Sequence, residues 1–146
     1  MAVVDFFTEQ EKKQITDAIK AAELKTSGEI RVHVEGRCKE DVLDCAAHWF
    51  EQLKMHKTAA RNGVLFYLAV TDRKFAILGD AGINAKVPDN FWESTKDLML
   101  SHFKKGRFAD GLSEGILMAG KQLKEHFPYQ KDDVNELSDD ISFGKK

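Results

Sequence analysis

The sequence predicts an α/β fold, a three-layer αβα sandwich in which helices flank a small mixed β-sheet. Gly63 to Val70 is a continuous apolar run with the length of a strand that is buried on both faces. The polar stretch Thr71 to Lys74 separates it from a second, shorter apolar run, Phe75 to Leu78. Two such runs joined by a short polar turn predict a β-hairpin at the centre of the sheet. Amphipathic helical patterns on either side of the hairpin supply the outer layers.

The chain before the hairpin alternates helix, strand and helix. Thr8 and Glu11 have the spacing of a capping box, which begins an amphipathic helix that runs to about Leu24. Residues 29–35 alternate apolar and polar side chains, which predicts a strand with one face toward the core. A second amphipathic helix starts near Asp41. Because a helix that connects two strands of one sheet usually makes a right-handed parallel crossover, the first strand and the first hairpin strand should be parallel.

Two further helices are predicted after the hairpin. The Pro-Asp-Asn sequence at 88–90 is expected to open the third helix, and the basic, glycine-containing residues 104–107 to close it. Asp110 stands where the N-cap of a fourth helix belongs. That helix should end near His126, because Pro128 cannot continue it.

These elements predict a single αβα domain over residues 1–128, followed by a polar, acidic C-terminal tail over residues 129–146. The tail either packs as a short strand or helix or stays mobile. Its carboxylates, from Asp132-Asp133 to Asp139-Asp140, lack the glycine and the terminal glutamate of an EF-hand loop. We therefore expect a solvated acidic surface there.

Composition predicts a soluble cytoplasmic protein. The net charge of -2 over 146 residues lacks the basic excess of a nucleic-acid binder. No apolar stretch approaches the ~20 residues of a membrane span, and the first residues do not read as a secretory signal. Cys38 and Cys45 lack the partners of a zinc site, and in the cytoplasm both are expected to be reduced thiols.

The predicted topology brings distant acidic residues to one edge of the sheet. The second hairpin strand runs opposite to the two parallel strands, so its end lies where they begin. Asp80 follows that end, in the glycine-containing loop from Gly79 to Gly82, and Glu29 begins the first strand. Together with Asp89, these carboxylates are expected to gather at the same edge.

Three segments of the chain resemble the TPM domain family: RNGVLFYLAVTDRKFAILGDAGIN, VPDNFW and HFKKGRFADGL. The resemblance covers the chain from Phe7 to about Pro128. It implies an αβα sandwich whose loops bind divalent cations, often calcium, and some plant members of the family have been credited with phosphatase activity. Most members carry a signal peptide or a membrane anchor. The chain is therefore most similar to a stand-alone, soluble, bacterial-type member.

The resemblance makes the acidic loops a candidate metal site. Hard cations take oxygen ligands from carboxylates and from the carbonyl groups of tight loops, and the Asp80 loop offers both. Asp110 is carried over from the family alone, because a simple helical hairpin would place it at the opposite end of the sheet. The candidate ligands are Asp80, Asp89 and Asp110, with Glu29 and Glu114 in second rank, and the expected cofactor is a divalent metal, calcium or alternatively magnesium.

Purely structural roles remain open for the same residues. An aspartate at a helix N-terminus satisfies free amides and favours the helix dipole, which is the alternative for Asp89 and Asp110. Asp80 has the alternative of a turn-forming residue. For Glu29 the alternative is an exposed position at the start of a strand.

The favoured function is a divalent-cation binding module in which metal orders the acidic, glycine-containing loops and modulates an interaction. The first alternative is a metal-dependent phosphatase that uses the same acidic cluster, with Arg61 or Lys86 as the phosphate clamp. The second is a metal-free interaction scaffold. A non-enzyme is favoured, because the sequence has no nucleophile elbow, HExxH pair or Walker loop. The expected partners are a divalent cation and an unidentified protein, with no nucleic acid and no membrane span.

Overall fold

The computed structural model describes residues 3–129 and 137–144. Most of the chain folds into alternating helices and strands, preceded by one short 3₁₀ turn and interrupted by a second at Met55–Lys57. The elements are, in chain order, α1 (Glu9–Glu23), β1 (Glu29–Glu35), α2 (Val42–Gln52), β2 (Gly63–Ala69), β3 (Lys74–Gly79), α3 (Ala81–Asn84), α4 (Glu93–Phe103), α5 (Phe108–Leu123) and β4 (Ser142–Phe143).

The four strands form one mixed sheet in the order β3-β2-β1-β4. β1 and β2 are parallel, with Glu29 opposite Gly63, and β2 and β3 form the antiparallel hairpin, with Val64 opposite Gly79. β4 adds a short parallel strand to the outer side of β1. The predicted α/β fold with a small mixed sheet is confirmed.

Two apolar clusters, one on each face of the sheet, make the sandwich three layers thick. Alternating strand residues such as Val32 and Phe66 face α1, α4 and α5, while Leu65 and Tyr67 face α2. The seven residues of β2 are all buried, because helices cover both faces of this central strand. The continuous apolar run that predicted it therefore has a direct structural cause.

The predicted starts of α1 and α2 are confirmed, α2 with Asp41 as its N-cap, and those of α4 and α5 are not. Thr8 and Glu11 form the predicted capping box of α1. The prediction that residues 88–90 open a helix is wrong, because they lie in turns that precede α4. The prediction that Asp110 is an N-cap is also wrong: Arg107 holds that position, and Asp110 lies in the first turn of α5. A single aspartate near a proline or glycine loop marks a helix start less precisely than a capping box does.

The cysteine prediction is wrong. Cys38, in the loop after β1, and Cys45, in α2, form a disulfide with 6.2 Å between their Cα atoms. The loop turns back toward the helix, which brings two buried side chains within bonding distance. Since disulfides persist mainly in oxidising compartments, the pairing removes one support for the cytoplasmic prediction.

No helix within residues 3–129 and 137–144 is long and apolar enough to cross a membrane. The tail contributes β4, so part of it packs as a short strand as one alternative foresaw. The predicted solvated pair Asp132-Asp133 lies outside the described residues. The boundary at residue 128 stays a prediction.

Candidate functional site

The register of the sheet places Glu29 and Asp80 at the same edge. Glu29 faces Gly63 across the parallel pair, and the amide of Asp80 donates to the carbonyl of Gly63 at 2.9 Å. The central strand lies between them, so their backbones are two strand spacings apart, about 9–10 Å. The topology brings the two carboxylates to one edge, but it does not bring them into contact.

Asp80 is engaged in a structural ion pair. Its carboxylate, 5% exposed, accepts from Arg61 through Nε and Nη2, both at 2.8 Å, and from the amide of Ala81 at 2.7 Å. The two-pronged geometry matches a guanidinium to a carboxylate. A cation could use Asp80 only if Arg61 released it.

The loop that carries Arg61 is fixed by close backbone packing. Arg61 has a positive φ of 50°, and its carbonyl accepts from the amide of Gly82 at 2.9 Å. A Cβ atom on Gly82 would lie 2.3 Å from the carbonyl oxygen of Ala60 and 2.6 Å from that of Arg61. Only glycine fits this approach, which holds the loop before β2 against α3.

Gly82→Ala should therefore destabilise the protein by about 3 kcal/mol, because neither backbone carbonyl can move without disturbing the start of β2. Urea unfolding of the variant beside the wild type measures this. Gly106→Ala is the matched control: Gly106 has a φ of 75° but open space around its Cβ position, so only the backbone cost of about 1 kcal/mol applies. Equal losses for the two variants would contradict the packing argument.

A cleft of about 430 Å³ opens beside the ion pair, between α2 and β3. Its lining includes the apolar side chains of Phe50 and Leu78. The charged and titratable residues of the lining are Glu51, His56, Arg61 and Asp80.

The remaining predicted ligands lie elsewhere. Asp89 is exposed in the turns before α4. Asp110 accepts from Nε2 of Gln14 at 2.8 Å, and Glu114 pairs with His102. The first turn of α5 packs near Phe103, whose ring contacts Phe75 at the start of β3, so Asp110 is at the opposite end of the sheet from Asp80.

The five predicted carboxylates therefore do not converge. Within the described ranges, no group of three or more His, Cys, Asp or Glu side chains is arranged to hold a metal ion.

Sequence reasoning missed a different group of carboxyls, which lies beside Glu29. Glu29 is 5% exposed, so it is not the exposed strand start that was its structural alternative. Its Oε1 accepts from the amide of Leu137 at 2.7 Å. Glu23, at the end of α1, accepts from the amide of Ile30 at 3.1 Å and shares a hydrogen bond with Asp139.

The Glu23 carboxyl group is held in its neutral form. Burial raises its pKa from 4.5 to about 9, and the hydrogen bond and negative charge of Asp139, with the charge of Glu29, add to the shift. A carboxyl that keeps its proton can donate to a neighbouring carboxylate. Of the acidic residues expected on a solvated surface, Asp140 is exposed, whereas Asp139 is only partly exposed because it contacts Glu23. No local pattern marks Glu23, because its partners come from β1 and from the C-terminal segment.

The segment 137–144, called here the C-terminal strap, lies along the outer side of β1. In addition to its bond to Glu29, it is held by Gly144, whose amide donates to the carbonyl of Val34 at 2.8 Å. The Ser142 hydroxyl lies 2.8 Å from Nδ1 of His33. Ile141 and Phe143 pack against the apolar cluster on the α1 side.

His33 lies at the centre of a buried polar group between the sheet and α2. Its ring is fully buried and stacks on Trp49 at 3.9 Å between centroids. Glu35 accepts from Nε1 of Trp49 at 3.1 Å and from the hydroxyl of Tyr67. Burial raises the pKa of Tyr67, and its hydrogen bond to Glu35 adds to the shift. Nε2 of His33 has no hydrogen-bond partner among the described residues.

Comparisons with known proteins agree with this architecture. The chain matches the TPM domain family over residues 3–122. Among solved structures, it is similar to the BA42 protein from the psychrophilic bacterium Bizionia argentinensis, with 50% identity, a TM-score of 0.90, and coverage of 95% of this chain and 96% of that one.

Two more distant structures share the fold alone. The N-terminal domain of a protein from P. gingivalis has 21% identity and a TM-score of 0.68, covering 83% of this chain and 78% of that one. The N-terminal domain of cg2496 from Corynebacterium glutamicum has 11% identity and a TM-score of 0.64, covering 96% and 81%. A comparison with curated proteins gave no significant match. The family match, which spans most of the chain, and the predicted NGVL and glycine-loop segments lead to one conclusion: the chain belongs to the TPM domain family.

Proposed function

We propose that this protein is a divalent-cation binding module, for calcium or alternatively magnesium, in which the cation orders acidic segments at the edge of β1 and modulates an interaction. The observation that carries the proposal is the hydrogen bond between the carboxyl groups of Glu23 and Asp139, beside the buried carboxylate of Glu29. Two carboxyl groups in hydrogen-bond contact can remain together only while a proton or another cation lies between them.

A divalent cation could balance the negative charge of the carboxyl groups of Glu23, Asp139 and Glu29 in place of the shared proton. Calcium takes six to eight oxygen ligands, which include carbonyl oxygens and water as well as carboxylates. Two carboxyl groups at a time would thus supply part of the ligand set, because no three among the described residues are arranged around one ion. The C-terminal strap would then be held more firmly than by a shared proton. Of the predicted ligands, this proposal uses Glu29; Asp80 is retained by Arg61, and Asp89, Asp110 and Glu114 lie apart.

The metal-free interaction scaffold is the second candidate. It is favoured because the carboxylates of Asp80, Asp110 and Glu114 are each already hydrogen-bonded or ion-paired to another side chain of this protein. A phosphatase would need a free basic clamp beside a metal, whereas the guanidinium of Arg61 is bound to Asp80 and the ammonium group of Lys86 lies over the ring of Phe127. The phosphatase alternative therefore ranks below both.

Titration of calcium and then magnesium into chelator-treated protein, followed by amide NMR, tests the proposal. We expect the amides of Ile30 and of residues 137–144 to shift, and Glu29→Gln to weaken binding at least tenfold. Asp89→Asn is the matched control, because Asp89 is an exposed predicted ligand outside this edge. It should bind as the wild type does.

Three results would contradict the proposal. Unchanged spectra would favour the metal-free scaffold. Shifts confined to residues 79–89, with loss of binding in Asp89→Asn, would move the site to the Asp80 loop. Equal affinity of Glu29→Gln and the wild type would remove Glu29 from the ligands.

A further inference from the structure

We propose that the outer edge of β1 is a strand-accepting surface, on which an extended peptide of a partner protein takes the place of the chain's own C-terminal strap. Edge strands offer backbone donors and acceptors that another extended chain can pair with. This inference does not depend on the proposed cation binding, because it rests on the backbone and packing of β1.

The strap pairs with only part of the available edge. Alternate residues of β1 direct their amide and carbonyl groups outward, and these are Ile30, Val32 and Val34. The ladder of the strap, Ser142 opposite His33 and Phe143 opposite Val34, covers the half of this edge near Val34. Further along the edge, the amide of Ile30 bonds to a side chain, Glu23, instead of to a strand. A partner peptide that pairs along more of β1 would gain backbone hydrogen bonds that the strap does not make.

By covering His33, the strap also buries a polar atom that has no hydrogen-bond partner among the described residues. It leaves Nε2 of His33 buried and unpaired among the described residues, and its anchoring depends on carboxyl groups brought close together. Buried polar atoms without partners destabilise the arrangement that buries them. Displacement of the strap would expose Nε2 to water, so the closed state is held less firmly than a fully satisfied strand.

The packing of the strap specifies the chemistry of the peptide. Side chains alternate, so Ile141 and Phe143 enter the apolar cluster, while Ser142 meets His33 on the opposite face. A Cβ atom on Gly144 would lie 2.9 Å from Cβ of Glu35 and 3.0 Å from Nε2 of His33. The matching peptide is therefore an extended segment with an aliphatic residue, a small hydroxyl residue, an aromatic residue and a glycine in succession.

The test uses the full chain with Gly144→Val, which should push the strap off β1, and a fluorescent synthetic peptide of sequence SDDISFG. All titrations contain EDTA, so that failure of the cation proposal does not affect them. We expect the peptide to bind the variant at least tenfold more tightly than the wild type, whose own strap competes. The peptide SDDISFV should lose at least tenfold in affinity, because its last side chain meets Glu35 and His33.

Hydrogen exchange at residues 30–34 shows whether the variant is open, and Ser142→Pro serves as a second opened chain if Gly144→Val remains protected. An opened chain that does not bind SDDISFG, or that binds SDDISFV equally well, would overturn the proposal. An opened chain that forms a dimer which the peptide fails to dissociate would assign the edge to a second copy of this chain instead.

Discussion

Glu23→Gln should unfold with a higher free energy than the wild type at pH 9, by on the order of 5 kcal/mol, and with nearly the same free energy near pH 4.5. Burial and Asp139 raise the pKa of Glu23 from 4.5 to about 9, so the folded state holds a proton that the unfolded state releases. The stability that comes from this proton is complete below pH 4.5 and is lost as the pH rises toward 9. Glutamine is neutral at every pH and keeps an oxygen for the amide of Ile30 and donors for Asp139.

Urea unfolding of both proteins at intervals from pH 4.5 to 9.5 measures this effect. The free energy of the wild type should fall over that range, and that of Glu23→Gln should fall much less. Glu125→Gln replaces an exposed glutamate beyond α5 and should reproduce the wild-type slope. Parallel slopes for wild type and Glu23→Gln would show that Glu23 is ionised in the folded protein and would remove its hydrogen bond to the Asp139 carboxylate.

His33→Phe should remove most of the loss of stability that the wild type shows between pH 6.5 and pH 3. Burial lowers the pKa of His33 from 6.5 to about 3, and the positive charges of Arg31 and His48 add to the shift. The folded state therefore excludes a proton that the unfolded state binds, and stability falls as the pH drops below 6.5. The full effect is on the order of 4–5 kcal/mol.

Phenylalanine keeps a ring to stack on Trp49 but takes no proton. It loses the bond to Ser142, worth about 1 kcal/mol, and also removes the unpaired Nε2. Acid unfolding followed by circular dichroism should show a lower midpoint pH for His33→Phe than for the wild type. His126→Phe, a control outside this buried group, should unfold at the wild-type midpoint. An unchanged midpoint in His33→Phe would mean that His33 is not held neutral.

His33 and Glu23 make the stability of the fold depend on pH in opposite directions. His33 weakens the fold as the pH falls below 6.5, and Glu23 weakens it as the pH rises above 4.5. Both lie against the C-terminal strap, His33 through Ser142 and Glu23 through Asp139. We therefore expect the strap to be the part of the fold whose protection from hydrogen exchange, relative to an unfolded chain at the same pH, changes most with pH.

Elements whose signal lies within a few consecutive residues could be predicted from the sequence. The buried run from Gly63, the polar turn after it and the capping box at Thr8 each specify a local conformation directly. The parallel and antiparallel pairings then follow from general rules of connection, and so does the position of Glu29 and Asp80 at one edge. Isolated aspartates marked helix starts unevenly: Asp41 is the N-cap of α2, whereas α4 and α5 do not start at Asp89 or Asp110.

The sequence by itself thus determined the α/β sandwich, because periodicity, caps and turns are local properties of the chain, and the resemblance of three segments indicated the family. Only the tertiary structure decided which side chains meet: Cys38 with Cys45, Asp80 with Arg61, and Glu23 with Asp139. Each meeting depends on how a loop turns back or on which edge the C-terminal strap occupies. The chemistry of the site follows from burial and from distances between segments remote in sequence, and neither can be predicted from the spacing of residues along the chain.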